Sequence, residues 1–220
     1  MSIRNIQTID LASSREASDM ADVKFIFKES GSKGNLEIKA NKTILAYGSD
    51  VFKTQFFGSI PESDSVPIED SSIDTFNMFV DILYNKKVEL NELSLKVLGD
   101  LFYLGEKYHV EDLKDAIAKN VSSRKIEADG IIEAVKVAEE KAHLVDFSNS
   151  VYELCSGFVL NNHSGVLELF NNLEVEESTS ACLHRLMAKA YTMKKKNVCK
   201  NCRQNLLSRW CQSYQGEFCC

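Results

Sequence analysis

Any chemistry in this chain would have to come from its cysteines, histidines and carboxylates. Cys199 and Cys202 stand two residues apart, a gap that lets both thiolates bind one tetrahedral ion from a single knuckle turn. Cys211 and either Cys219 or Cys220 would complete a four-thiolate zinc site, with His184 as a substitute ligand. The whole spacing matches no established zinc module, so a tail of free cysteines is the competing reading. The remaining groups do not converge. His109, His143, His163 and His184 each stand alone on a helical or loop segment. Glu139-Glu140 and Glu176-Glu177 are adjacent pairs; on a helix they diverge by about 100° and cannot share a substrate. The sequence contains no glycine-rich phosphate loop, no nucleophile elbow and no His-Glu-x-x-His motif, which argues against catalysis and against a required cofactor.

Charge is divided along the chain. The net charge is -6, yet residues 178–216 hold eight Lys or Arg and no Asp or Glu. An acidic body with a basic tail implies that the two face different surroundings. Lys194, Lys195, Lys196, Arg203 and Arg209 with Trp210 could bind phosphates or stack on a base. With no recognisable nucleic-acid module around them, they read better as a solvated helix end or as a contact to the protein's own acidic surface. The terminal Cys219-Cys220 resembles a prenyl acceptor, a secondary reading. Hydrophobic content of 44% with 26% charged residues indicates a globular chain and excludes disorder. No signal-peptide pattern and no apolar run of roughly 20 residues is present, so no membrane partner is expected. The chain reads as intracellular, cytoplasmic or nuclear, with isolated Cys155 and Cys182 as buried, reduced thiols.

Recognition is the chemistry that remains. In "TILAYGSDVFKTQFFGSIPES" (Thr43 to Ser63), two short aromatic helices are punctuated by Gly48 and Gly58 and halted by Pro61. Phe56 falls at a helix end, Pro61 stiffens the next loop, and Ile60 and Glu62 project from it. That combination offers an apolar anchor and an orienting carboxylate to another polypeptide.

The elements that must position this corner follow from periodicity. "DVKFIF" alternates Val23, Phe25 and Phe27 on one face, and "LEIKA" alternates again after the turn "SGSKGN", which predicts a hairpin. Ile44, Leu45 and Tyr47 fit a helix of little more than a turn. Ser49 or Asp50 can cap the next helix, and Gly58 suits a left-handed helix end. "SVPIED" predicts a short strand. Beyond residue 70 the pattern is helical: Ile73, Phe76 and Leu83 after a Ser71 or Ser72 cap, then Leu95 to Tyr108, Leu113 to Val121, Ile131 to Ala142, and Leu144 to Phe158. Short connections imply antiparallel neighbours. The fold class is therefore α+β, a small mixed sheet with a cluster of helices followed by an all-α extension.

This order, with particular residues, resembles the BTB/POZ domain. The resemblance runs through Asp22-Val23-x-Phe25, then Lys42-x-Ile44-Leu45-Ala46-x-x-Ser49-x-x-Phe52-x-x-x-Phe56. It continues in "VPIEDSSIDTFNMFVDILYNKKVEL" and "LGEKYHVEDLKD". The implied organisation is an N-terminal segment at 1–21, a BTB domain at 22–124, a helical extension similar to the three-box or BACK region at 126–196, and a cysteine-rich basic tail at 197–220. Asn41 stands where the family usually has His, which puts the detail of that turn's hydrogen bonding in doubt. The first twenty residues match weakly.

The resemblance implies a homodimer with Ile6, Ile9, Leu11, Ile44, Leu45 and Tyr47 at its interface. It also implies docking of cullin-3 through Phe56, Ile60, Pro61, Glu62, Tyr108 and His109, because Ile60-Pro61-Glu62 matches the hydrophobic-x-Glu signature of cullin-3-binding relatives. The expected function is a substrate adaptor in a ubiquitin ligase. The alternative is a scaffold or transcription-associated protein that self-associates without cullin and uses its tail to bind nucleic acid or another partner. No Kelch, MATH or zinc-finger array follows the BTB-like region, so a recruited substrate protein is expected to bind the tail, the helical extension or a further partner protein.

Overall fold

The computed structural model describes residues 15, 20–28, 35–59, 63–127, 130–161 and 186. Alternation of apolar and polar side chains builds its sheet. β1 (Val23–Lys28) turns Val23, Phe25 and Phe27 inward and leaves Lys24 and Lys28 exposed. β2 (Asn35–Ala40) pairs with it antiparallel, and β3 (Ser65–Ile68) pairs with its other edge in parallel. The order is β2-β1-β3. Register aligns apolar rows: Ile38, Phe25 and Val66 lie side by side, all buried. Pro67 sits on the edge strand β3 and is exposed, where its missing N–H removes no interior ladder bond.

Between β2 and β3 come α1 (Lys42–Gly48) and α2 (Asp50–Phe57). After β3 follow α3 (Ile73–Leu83), a 3-10 turn (Leu90–Glu92), α4 (Leu95–Lys107) and α5 (Glu111–Ser123). Then come α6 (Gly130–Glu140) and α7 (Val145–Asn161). The fold is α+β, as the periodicities required.

Side-chain caps set the helix starts. Asn41, Ser49, Ser72 and Ser94 each accept a first-turn amide, satisfying a donor with no partner inside the helix. Asn41 works hardest of the four. Its Oδ1 accepts from the amides of Thr43 and Ile44 at 3.0 and 3.3 Å, and its Nδ2 donates to the Met20 carbonyl at 2.9 Å. Its own N–H donates to the Tyr84 hydroxyl at 2.6 Å. An amide side chain thus serves the turn as both acceptor and donor.

At the end of α2 the sequence expectation needs correction. Gly58 is extended (φ -71°, ψ -177°), not left-handed, and its N–H donates to the Thr54 carbonyl at 2.9 Å. A Cβ there would lie 2.3 Å from that carbonyl oxygen. Close approach of the preceding helical turn, and no positive φ, is what demands glycine here.

Contacts divide the chain into two compact units. In the first, described residues up to 124 are joined by 140–150. Its centre is aromatic: Phe25 lies 4.8 Å from Phe76 and 5.7 Å from Phe52 between ring centroids, separations at which tilted rings attract. Gly99 of α4 is buried; a Cβ at that position would meet the Phe147 ring at 3.0 Å, so glycine permits that close packing. Lys141 Nζ pairs with Asp100 at 2.6 Å beside it. In the second unit, α6 buries Ile131, Ala134, Val135 and Ala138, and α7 buries Val151, Leu154, Cys155 and Val159. The Tyr152 hydroxyl donates to Glu139 within this unit. Cys155 is a free thiol whose pKa burial pushes up to about 12, which makes it inert.

Candidate interaction surface

Two helix ends meet at the side of the aromatic core, and one buried hydroxyl joins them. Ser49, only 3% exposed, caps α2 by accepting from the Phe52 amide at 3.1 Å. Its O–H donates in turn to the Tyr108 carbonyl at 2.6 Å. Tyr108 ends α4, and its ring stacks on Phe52 at 4.3 Å. The start of α2 and the close of α4 are therefore one hydrogen-bonded, stacked assembly.

The turn after Tyr108 has an unusual backbone. His109 adopts φ 51°, a left-handed conformation that disfavours residues with a Cβ. Its N–H donates to Glu106 O at 3.3 Å, and the Val110 N–H donates to Gly105 O at 2.8 Å. Those two bonds make a Schellman closure, in which glycine is the usual residue at the left-handed position. Asn85 repeats the arrangement after Tyr84, with φ 62° and the matching bonds to Ile82 O and Asp81 O at 2.9 Å each. Asparagine tolerates that conformation better than histidine does.

Charges brace this end of α4. Asp70, just beyond β3, accepts from the Tyr103 hydroxyl at 2.6 Å and from Lys107 Nζ at 2.8 Å. Burial alone would raise the Asp70 pKa, but the Lys107 and Tyr103 hydrogen bonds outweigh it and hold the carboxyl below its ordinary value. The same carboxylate raises the Tyr103 pKa. Lys114 of α5 bonds Glu106 and Glu111, each at 2.8 Å, fixing the first turn after His109.

The expected contact residues divide by burial. Phe56 and Tyr108 are each 4% exposed and belong to the chain's own core. Phe56 stacks on Phe52 with ring planes 6° apart. His109 is exposed. In α1, Leu45 faces inward and is completely buried, Ile44 is half-buried, and Tyr47 is 91% exposed. Leu45 therefore presents nothing to a partner, while Tyr47 is an apolar ring left to solvent. Ile60, Pro61 and Glu62 lie outside the described residues, as do Ile6, Ile9, Leu11, Cys199, Cys202, Cys211 and Cys219. Phe57, which the sequence reading passed over as a contact, is 58% exposed at the end of α2. Its signal was available: with Phe52 and Phe56 on one helical face, the neighbouring Phe57 must point about 100° away.

Among the described residues, no three His, Cys, Asp or Glu side chains gather as a metal site, and no helix is long and apolar enough to cross a membrane. What this end of the unit offers is exposed side chains on a braced frame, an arrangement suited to contact with another protein.

Residues 11–125 match the family model for the BTB/POZ domain. The chain belongs to the BTB/POZ family. BTB/POZ domains are non-enzymatic modules of protein–protein interaction and self-association, and this chain carries one. It is 32% identical over 114 residues to BTB/POZ domain-containing protein At4g08455 of Arabidopsis thaliana, a match covering 51% of this chain and 45% of that protein. It is 25% identical over 104 residues to BTB/POZ domain-containing protein 9 of Bos taurus, covering 46% of this chain and 16% of that one. The match thus spans less than half the length of either relative. Within the BTB domain, the Ser49 to Phe56 stretch and the Tyr108–His109 turn are the parts that the Ser49 hydroxyl ties together.

Proposed function

We propose that this BTB protein forms homodimers and acts as a substrate adaptor for a cullin-3 ubiquitin ligase, doing no chemistry itself. The observation that carries the reading is the buried bond from Ser49 to the Tyr108 carbonyl. It holds the start of α2 to the His109 turn; exposed Phe57 ends that short helix, and Ile60-Pro61-Glu62 follows it in sequence after Gly58 and Ser59. In this reading Ile60 fills an apolar pocket of the cullin and Glu62 selects a cation or amide donor beside it. Phe56 and Tyr108 act as the underlying support. The helices α6 and α7 play the part of the three-box or BACK region, and the protein works in the cytoplasm, the nucleus or both.

Self-association is supported by Tyr47, since a ring this exposed is readily covered by a second copy. The second reading keeps that dimer, drops the cullin, and gives the basic, cysteine-rich tail to nucleic acid or another partner; the tail's charge favours it. Recovery of cullin-3 on wild-type protein and on the Ile60→Asp, Glu62→Ala double variant separates the two. Binding lost only in the variant supports the adaptor, and equal recovery rejects the loop assignment. Metal analysis of the reduced, unchelated protein decides whether Cys199, Cys202, Cys211 and Cys219 bind zinc.

A further inference from the structure

Arg15 lies ahead of β1 in sequence, yet its guanidinium joins two later elements. Nη1 donates to the Lys39 carbonyl near the end of β2 at 2.6 Å. Nη2 donates to Asn77 Oδ1 at 2.7 Å and Nε to Asp81 Oδ1 at 3.1 Å. Asn77 and Asp81 stand four positions apart on α3, so they share one helix face and a single planar fork ties that face to β2. The Arg15 side chain is only 12% exposed, and its Cζ lies 5.6 Å from the centroid of the Tyr84 ring. Tyr84, just beyond α3, makes a second tie, because its hydroxyl accepts the Asn41 amide. Both ties grip residues 39–41, the junction from which α1 starts. α1 has seven residues, too few to hold a direction unaided. Its far end also meets α3, since a Cβ on Gly48 would lie 2.9 Å from Leu83 Cδ2. On the side of α1 turned to solvent stands Tyr47.

We propose that Arg15 is a positioning residue for self-association: by clamping the β2–α1 junction onto α3, it fixes the direction in which α1 presents Tyr47 to a second copy. The inference rests on the self-association reading above and adds to it a buried residue beneath the surface to be covered. The shape of the fork matters as much as its charge. Lysine keeps the charge but has no planar set of donors to span a carbonyl, an amide oxygen and a carboxylate together. Asn77→Ala is the milder cut, because it removes one exposed acceptor and leaves the guanidinium its bonds to Lys39 and Asp81.

The test uses the full chain with Arg15→Lys, Asn77→Ala and Arg124→Lys. Sedimentation gives the self-association constant of each protein, and hydrogen exchange compares residues 39–48 with residues 98–104 of α4. Arg124 is the control for general destabilisation, since its guanidinium serves the Leu90 and Leu93 carbonyls and Asn120 instead. Arg15→Lys is expected to weaken self-association about tenfold, the scale of one lost charged hydrogen bond. It should also speed exchange of residues 39–48 relative to residues 98–104. Asn77→Ala should act in the same direction, about threefold. Arg124→Lys should lower the urea midpoint and leave both readouts at wild type. Either readout unmoved in Arg15→Lys overturns the proposal, and so does an equal weakening in Arg124→Lys, which would then follow stability alone. If the wild-type chain is monomeric at every concentration measured, the self-association reading itself falls. Wild-type dimers with unchanged exchange in Arg15→Lys would remove the clamp alone.

Discussion

Replacing Ser49 with alanine should be far more damaging than loss of an ordinary helix cap. The hydroxyl makes two bonds in a buried place: it accepts from the Phe52 amide at 3.1 Å and donates to the Tyr108 carbonyl at 2.6 Å. Losing the cap costs about 1 kcal/mol. Removing the donor to a buried carbonyl adds roughly 1–3 kcal/mol, because alanine supplies no substitute and water has no easy entry. The sum is about 2–4 kcal/mol. Ser94 provides the control, since it caps α4 through the Val97 amide at 3.3 Å in an exposed position; Ser94→Ala should lose about 1 kcal/mol only. Ser49→Gly should lie between the two, as glycine is a fair cap but no donor. Urea unfolding of the three variants, with a common slope, gives the comparison directly. If Ser49→Ala is no worse than Ser94→Ala, the bond to Tyr108 contributes nothing, and the coupling of α2 to the α4 turn is wrong.

His109→Gly relieves the left-handed backbone and is expected to stabilise the protein by up to about 1 kcal/mol in chemical denaturation, while weakening cullin-3 capture if the imidazole is a contact; a loss of stability would show that the ring is needed in the fold. Arg124→Lys keeps the charge but cannot reproduce the fork that donates to the Leu90 and Leu93 carbonyls and to Asn120 Oδ1. It should cost about 1–3 kcal/mol, and an unchanged urea midpoint would refute that role. The Asp70 carboxyl is held below its ordinary value in the folded state. Its contribution is therefore complete above the unfolded pKa of about 4 and is lost as pH falls through the lower folded value. Asp70→Asn should accordingly flatten the acid limb of a stability–pH curve between about pH 5 and 2; superimposable limbs would exclude the effect.

The fold was legible where period and capping agreed. Val23, Phe25 and Phe27 announced β1, Ile38 and Ala40 its partner, the α3 stripe ran from its serine cap as expected, and the α4 stripe was read although its Ser94 cap was not. Two features were not local enough to read. Gly58 looked like a left-handed helix end because glycine commonly is one, but the deciding contact is the Thr54 carbonyl beneath it. Residues 140–150 pack with the first unit, which depends on Gly99 lying opposite Phe147 and Lys141. No periodicity joins positions so far apart in sequence.

Residue type alone could not separate contact from support in the candidate site. Phe56, Phe57, Tyr108 and His109 are all suited to an interface, and adjacent pairs hide which member faces inward. Helix phase resolves the first pair. With Ser49 as cap, Phe52 and Phe56 fall three and seven positions on and share one face, which turns Phe57 to solvent. Backbone closure resolves the second. Tyr108 ends α4 with its ring on Phe52, so the next residue must take the left-handed step and leave the core. In both pairs the buried aromatic sets the direction of its exposed neighbour, and Ser49, which accepts from the Phe52 amide and donates to the Tyr108 carbonyl, joins the helix of the first pair to the turn of the second. A substitution that loosens Phe52 or Ser49 should therefore weaken partner binding without altering any exposed residue, whereas Tyr47→Ser should disturb self-association and leave that frame intact.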